Sequence, residues 1–408
     1  MQCRDNQANT MNITMRFVTV SCENKIMILP KVVSFILIIA LLGGCGAPAA
    51  VTSSPAPSAS SVLTPLPTPS VYSADLFMVG DCLMHLSVTN DGRQEDGKYD
   101  YSKQFAQIAA MAKNYDLRYY NQESILGGEE LGYSGYPQFN TSDGVGETLI
   151  RDGFNMVSLA NNHALDMGEA GIEHSMAFWR SHPEVCVSGT NLSEEERKKI
   201  PVICVNGITA AFLSWTYGTN GLNPPEGKEY LVNVYAGHEE EMLEQVRSAD
   251  KLADIVIIAM HWGVEYTLKQ TAEQERLAQG LSNAGADIII GTHPHVIEPV
   301  TWINGKTLCF YSLGNMISAQ IDEATHIGMA AGVTITKTVQ PDGTSSTVLS
   351  NPRADLFYNS YQQGPNGFYD YEEIPFVKME DPNMQALYQK YLPVITSLDS
   401  SIAIGVSD

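Results

Sequence analysis

What the sequence lacks narrows it first. No C-x-x-C pair occurs, so nothing points to a zinc ribbon or a dithiol redox site. Basic residues are scarce: 24 Lys and Arg face 46 Asp and Glu, for a net charge of −22. A phosphate backbone is met by clustered cations, so a nucleic-acid surface is excluded. No internal repeat is visible, so the fold is not a repeat array. The apolar run at 32–44, V-V-S-F-I-L-I-I-A-L-L-G-G, falls short of the roughly 18–20 residues that span a bilayer. What remains is a globular composition, 44% hydrophobic and 17% charged over 408 residues, long enough for one large or two ordinary domains.

That short apolar run is informative in another way. Lys31 precedes it and small residues end it, the marks of a secretory signal. Leu42-Gly43-Gly44-Cys45 resembles a bacterial lipobox, in which the cysteine is lipidated and becomes the mature N-terminus. Residues 1–26 fit no signal pattern, and Met27 is the better start of the basic region. Residues 1–45 are therefore expected to be a lipoprotein signal region with Cys45 as the lipid site. Residues 46–71, rich in Pro, Ser, Ala and Thr and free of charge, read as a semi-extended tether. The protein is then expected outside the cytoplasm, anchored to the outer face of the membrane. Of the other cysteines, Cys82, Cys186, Cys204 and Cys309 are scattered and mostly within apolar runs. They read as buried free thiols, although the location would permit a disulfide.

From residue 72 to about 340 one grammar recurs: an apolar β-rich run, a polar cluster, a helical pattern. Runs at 75–81, 115–124, 154–163, 253–263, 286–295 and 306–315 end respectively at Asp81, at Asn121 and Glu123, at Asn162 and His163, at His261, at His293 and His295, and at Asn315. Amphipathic helical stretches are predicted at 103–114, 145–152, 168–181, 238–252 and 270–284. Strands alternating with helices mean an α/β domain with covered sheet faces. The segment 200–217 adds a hairpin turning at Asn206-Gly207. Beyond 340 the chain is Tyr-rich and loop-like, ending in a helix near 383–391, and residues 341–408 are expected to be an extension packed on the domain.

Nearly every candidate ligand sits just past the C-terminal end of a predicted strand, the edge where open α/β sheets bind ligands. Singly, each residue has a plain reading: Asp81 as a helix cap, Glu123 as a surface carboxylate, His261 as a satisfied core histidine. Asn161, Asn162, His163 and Asp166 crowd one turn and either cap a helix or offer an amide oxygen and an imidazole to a site. His293 and His295, alternate residues stiffened by Pro294, could meet a metal pair from either side. Carboxylates, an amide oxygen and imidazoles form a mixed N/O set suited to Zn, Mn or Fe, with no thiolate in it.

The ordered set G-D at 80–81, N-x-E at 121–123, N-N-H-x-x-D-x-G at 161–168, H-W-G-x-E at 261–265, G-x-H-P-H at 291–295 and S-L-G-N at 312–315 resembles the CapA-like poly-gamma-glutamate capsule synthesis family. That family looks like an outlying branch of the calcineurin-like metallophosphoesterases. The resemblance implies a four-layer α/β/β/α metallo-dependent phosphatase-like sandwich with one or two divalent ions. It places Asp81 on a first metal, with Glu123 bridging to a second. Asn162, His261 and His293 hold the second metal, and His295 returns to the first. It makes His163 the acid that protonates a leaving group, with Asp166 orienting it or capping a helix. His85, Asn161, Glu265 and Asn315 become substrate or outer contacts. The expected partners are the membrane through Cys45, an anionic surface polymer and membrane polymer synthase subunits. Two departures stand out. Position 83 is Leu83 where such phosphoesterases have the histidine of D-x-H, and Glu123 is one methylene longer than the usual bridging Asp. Three readings stay open: a hydrolase, a non-catalytic scaffold for polymer or synthase, and a generic secreted phosphodiesterase.

Overall fold

The computed structural model describes residues 68–406 apart from 366. The signal region, Cys45 and the tether as far as residue 67 lie outside the described residues. Among the described residues no helix is long and apolar enough to cross a membrane.

The chain builds one sheet, leaves it for a second, and returns to the first. Strands β1 (Ser70–Cys82), β2 (Leu117–Asn121), β3 (Met156–Ser158) and β4 (Cys186–Ser188) are parallel neighbours in that order. Helices α1 (Leu86–Asp91), α2 (Ala106–Ala112), α3 (Gly144–Arg151) and α4 (Gly168–Arg180) connect them. A short α5 (Glu194–Arg197) leads into the second sheet. There β5 (Val202–Val205) and β6 (Ile208–Thr216) form the expected hairpin, with Asn206 at φ 49° and Gly207 at φ 82°. Two left-handed residues are what a tight type I′ turn requires. Strands β7 (Ile255–His261) and β8 (Ile288–Thr292) follow in parallel through α6 (Glu239–Asp250) and α7 (Ala272–Ala284). β9 (Val300–Ile303) and β10 (Thr307–Phe310) complete that sheet. The return comprises β11 (Asn315–Ile317), β12 (Ile327–Val339), β13 (Ser345–Gly364), β14 (Gly367–Pro375), α8 (Pro382–Ile395) and β15 (Ala403–Ile404).

Three apolar seams separate four layers. The two-residue period of each strand assigns its side chains to two of them. Leu76 and Met78 of β1 join Ile257, Ala259, Ile288 and Ile290 between the sheets. Phe77 and Val79 face the other way, onto Val88, Ile108, Leu149 and Trp179 of the first helical layer. Val256, Ile258 and Met260 meet Met242, Val246, Leu277 and Leu281 of α6 and α7. Truncating a fully buried residue such as Ile257 to Ala should cost about 2–5 kcal/mol. The result is the expected α/β/β/α sandwich.

Three expectations need correction. The run at 306–315 is not one strand: β10 ends at Phe310 in the second sheet, and β11 begins at Asn315 beside Asp81 in the first. The crossing is possible because two glycines leave room for it. A Cβ on Gly80 would meet Gly314 O at 1.8 Å, and one on Gly291 would meet Tyr311 O at 1.8 Å. The region beyond 340 is not loop: β13 and β14 extend the first sheet on its β12 side. Its helix spans Pro382–Ile395, longer than the 383–391 expected. Finally, Cys82, Cys186 and Cys309 are free, but Cys204 is disulfide-bonded.

Candidate metal centre

The parallel strands of both sheets end at one edge, and their registers align the polar residues there. Asp81 is level with Asn121 and Asn315, Asn121 with Ser158, and His261 with Thr216 and Thr292. In these registers the first sheet supplies carboxylate, amide and hydroxyl groups, and the second supplies His261 between two threonines.

Two of the imidazoles, His261 and His295, are oriented by neutral oxygens. His261 Nδ1 lies 2.9 Å from Thr292 Oγ1, and its Nε2 lies 2.9 Å from Asn162 Oδ1. His295 Nδ1 donates to Asn315 Oδ1 at 3.0 Å. The Asn315 amide is itself fixed, because its nitrogen donates to Gln320 Oε1 and to Thr325 O. A histidine held through one ring nitrogen presents the other, which is how ligating imidazoles are oriented. His293 and His295 occupy left-handed backbone, at φ 98° and 59°, so the turn between them is shaped against local preference.

The two carboxylates differ. Asp81 accepts from Asn121 Nδ2 at 2.8 Å and from the His293 amide at 3.1 Å. Glu123 is fully buried and neither of its oxygens has a hydrogen-bond partner; Oε1 lies 3.6 Å from His261 Nε2 and 3.8 Å from His295 Nε2. His293 Nδ1 is likewise buried and unpartnered. Glu123, His293 and His295 each offer one ligand atom, all within 4.8 Å of one another. Leaving such groups unsatisfied costs about 1–3 kcal/mol each. The donors are nitrogen and oxygen only, so the set fits a divalent ion of the Zn, Mn or Fe type.

Electrostatics agree with this reading. Burial, together with the neighbouring His295 and His163, lowers His293 to about 3 and keeps it neutral, and burial holds His261 well below the usual range. Burial and then the Asp81 carboxylate push Glu123 well up. Burial opposes charge on His295, but the Glu123 and Asp81 carboxylates outweigh it and hold its pKa at about 9. Without a cation this corner therefore keeps a proton that a bound ion would displace.

His163 sits beside the cluster, with Nδ1 at 2.7 Å from Asp166 Oδ2 and its amide donating to Asn161 Oδ1. Asp166 Oδ2 also accepts from the Phe139 amide at 2.6 Å, and the Phe139 ring packs edge-on against His163. The same ring touches His85, whose Nδ1 accepts from the Ala319 amide at 3.2 Å and which burial lowers to about 4. Glu265 is exposed, on the loop after β7. So Asp81, Glu123, Asn161, Asn162, His163, Asp166, His261, His293, His295 and Asn315 are all buried at this edge, with His85 beside them and Glu265 outside. A separate cavity of about 650 Å³, lined by Asp75, Tyr115, Thr334, Arg353 and Val406, is away from these residues. Its Arg353 is engaged by Asp75, Tyr115 and Asn351.

Residues 75–320 match the family described as Bacterial capsule synthesis protein PGA_cap. The chain belongs to that family. Similar proteins include the PGA biosynthesis protein CapA of Bacillus subtilis (strain 168), 38% identical over 169 residues that cover 41% of this chain and 43% of that protein. The capsule biosynthesis protein CapA of Bacillus anthracis is 29% identical over 254 residues, 60% of this chain and 59% of that protein. The chain spans about half the length of the curated relatives it matches. Among solved structures, the sulfate thiohydrolase SoxB of Thermus thermophilus aligns with a TM-score of 0.34 and 13% identity, covering 71% of this chain and 44% of that one. The purple acid phosphatase PPD1 of yellow lupin aligns at 0.32 and 11%, covering 69% and 54%.

Several residues of this PGA_cap edge escape a motif reading. Asn121, present in the N-x-E motif but given no role there, donates to Asp81 within the first sheet, and its Oδ1 accepts from Ser158 at 2.8 Å. Thr292 orients His261, and Tyr217, one residue past β6, packs its ring 4.7 Å from His293. The strand-end rule that found the histidines would have found Ser158, Thr292 and Tyr217 had it been applied to every strand rather than to titratable residues alone. Leu83 is buried, and its amide donates to Ile317 O at 3.0 Å, so the D-x-H position is filled by an apolar side chain.

Proposed function

We propose that this chain is a lipid-anchored, extracytoplasmic protein of bacterial capsule synthesis. It acts with poly-gamma-glutamate or a similar anionic surface polymer and with membrane synthase subunits, and it uses a metal-dependent hydrolase site. The names of its relatives support the polymer, and Cys45 with its preceding apolar run supports the anchor. The observation that carries the hydrolase reading is Glu123: a carboxylate with no donor, buried among the imidazoles of His261, His293 and His295. Glu123, His293 and His295 would hold an ion, with Asn162, His261 and Asp81 adjoining. When bound, a divalent ion supplies a Lewis acid and lowers the pKa of a water molecule. His163, its Nδ1 hydrogen held by Asp166, can pass a proton at Nε2 to a leaving group.

A scaffold reading is favoured by one feature, the apolar Leu83 beside an Asp81 whose oxygens are already taken. Turnover separates the two. The purified chain supplied with Mn or Zn is expected to hydrolyse bis-p-nitrophenyl phosphate or to shorten poly-gamma-glutamate, and His163→Ala is expected to abolish this. A metal-loaded chain that turns over neither substrate is a scaffold. Deleting the gene should reduce the mass of surface polymer; unchanged polymer would remove the capsule role.

A further inference from the structure

Hydrolase sites that use a pair of ions keep them about 3.5–4 Å apart, and each ion needs donors of its own. This edge serves one position and closes the neighbouring one. On the served side, both Glu123 oxygens and His293 Nδ1 lack partners, and His295 Nε2 lies 3.8 Å from Glu123 Oε1. On the other side each oxygen of Asp81 is met, Oδ1 by Asn121 Nδ2 at 2.8 Å and Oδ2 by the His293 amide at 3.1 Å. Position 83, two residues on, carries the buried and apolar Leu83.

The orientation of the Asn121 amide is set by a relay of buried hydroxyls. Asn121 Oδ1 accepts from Ser158 Oγ at 2.8 Å, and Ser158 Oγ lies 2.8 Å from the Tyr119 hydroxyl. Ser158 has one hydrogen to give, and it goes to Asn121, so the phenol donates to the serine. All three side chains are at most 1% exposed, so water does not compete for these bonds. Turning the amide over would press its oxygen against the Asp81 carboxylate. Asn121 Nδ2 is therefore fixed between two acceptors, the Asp81 carboxylate and His261 Nδ1, the latter at 3.5 Å. An amide nitrogen carries two hydrogens and no lone pair to offer an ion. It takes up the lone pairs that a cation would need and repels a cation placed beside it.

We propose that Asn121 stands in for the second cation of a paired site, so that this chain holds a single ion, on Glu123, His293 and His295. That set is sufficient for one ion, since catalytic zinc sites use three protein donors, two imidazoles and a glutamate among them, and keep a further position open. The inference rests on the cation site argued above and adds how many ions it takes and which residue limits the number. Asn121 is a positioning residue here, acting through Asp81.

The test uses the full chain, stripped with a chelator and reloaded with Mn²⁺. Equilibrium dialysis counts ions per chain, and electron paramagnetic resonance reads whether they are paired. The unaltered chain should bind about one ion tightly and show no exchange coupling between ions. Asn121→Asp combined with Leu83→His places a carboxylate and an imidazole at the closed position. That variant should bind about two ions and show a coupled pair. Asn121→Asp alone supplies a readout that does not depend on counting. Without metal its two facing carboxylates repel, so Tm should fall by several degrees, and Mn²⁺ should raise it by more than it raises the unaltered chain. About two coupled ions on the unaltered chain overturn the proposal and leave the cation site standing. An unchanged count in a double variant that still melts cooperatively overturns it too. So does an Asn121→Asp chain that melts like the unaltered one with and without Mn²⁺. An unaltered chain that retains no ion removes the cation site itself, and the role of Asn121 with it.

Discussion

The two carboxylates at the site, one on β1 and one just past the end of the neighbouring β2, are built to opposite rules. Asp81 has a donor on each oxygen, one from Asn121 in its own sheet and one from the His293 amide across the cleft. Glu123, two residues past Asn121, has none and lies against His261 and His295. A carboxylate satisfied by fixed donors works as a clamp between the sheets. One buried without donors is stable only beside a cation or as the neutral acid. The contrast teaches that neither burial nor a missing partner alone identifies a ligand, since Glu373 is equally buried and unpartnered; a missing partner beside convergent imidazoles does.

The largest expected effect comes from removing the orphan charge. Glu123→Gln should weaken Mn²⁺ binding by at least about a hundredfold in equilibrium dialysis, because the site loses its anionic donor, with little change in the stability of the metal-free protein, where burial already favours the neutral acid. Equal metal affinity would erase the distinction between the two carboxylates. His293→Ala should also lower metal content, by about tenfold in affinity, since its unpartnered ring nitrogen is one of the three convergent atoms. Asp81→Asn should act on stability more than on metal binding. Its amide group must face one of two donors, so urea unfolding should show a loss of about 1–3 kcal/mol, with a smaller change in metal affinity than Glu123→Gln produces.

The smallest effect is a control on the other side of the second sheet. Glu298 is buried, accepts only from Gln274 at 2.6 Å, and burial raises it to about 8. Its folded pKa lies above the unfolded value, so the folded state binds more protons between about pH 4.5 and 8, and stability falls as pH rises through that window. Glu298→Gln should flatten this slope, adding on the order of 1–3 kcal/mol at pH 8 and little at pH 4. An unaltered slope would mean that Glu298 is not the titrating group.

Much of this was legible in the sequence because strand ends carry both signals at once. The runs ending at Asp81, His261 and His293 gave β-structure by their apolar residues and chemistry by the residue that follows. The C-terminal extension of the first sheet was not legible. β13 holds Asn351 at φ 52° and Pro352, both of which read as turn residues, yet the register with β12 skips between Gly332 and Thr334 and accommodates them as a bulge. The run at 306–315 misled for a different reason: its strand-like pattern is continuous, and only the close approaches at Gly80 and Gly291 show that the chain changes sheets. The state of Glu123 was equally hidden, since a missing hydrogen-bond donor is a property of three dimensions.

The central claim is that Glu123, His293 and His295 form a cation site. The most direct measurement is the metal content of the purified chain after dialysis against Mn²⁺ and then buffer, by inductively coupled plasma mass spectrometry, beside Glu123→Gln. At least one ion per chain, lost in the variant, is the predicted result; no retained ion in either protein, or equal retention in both, would contradict it.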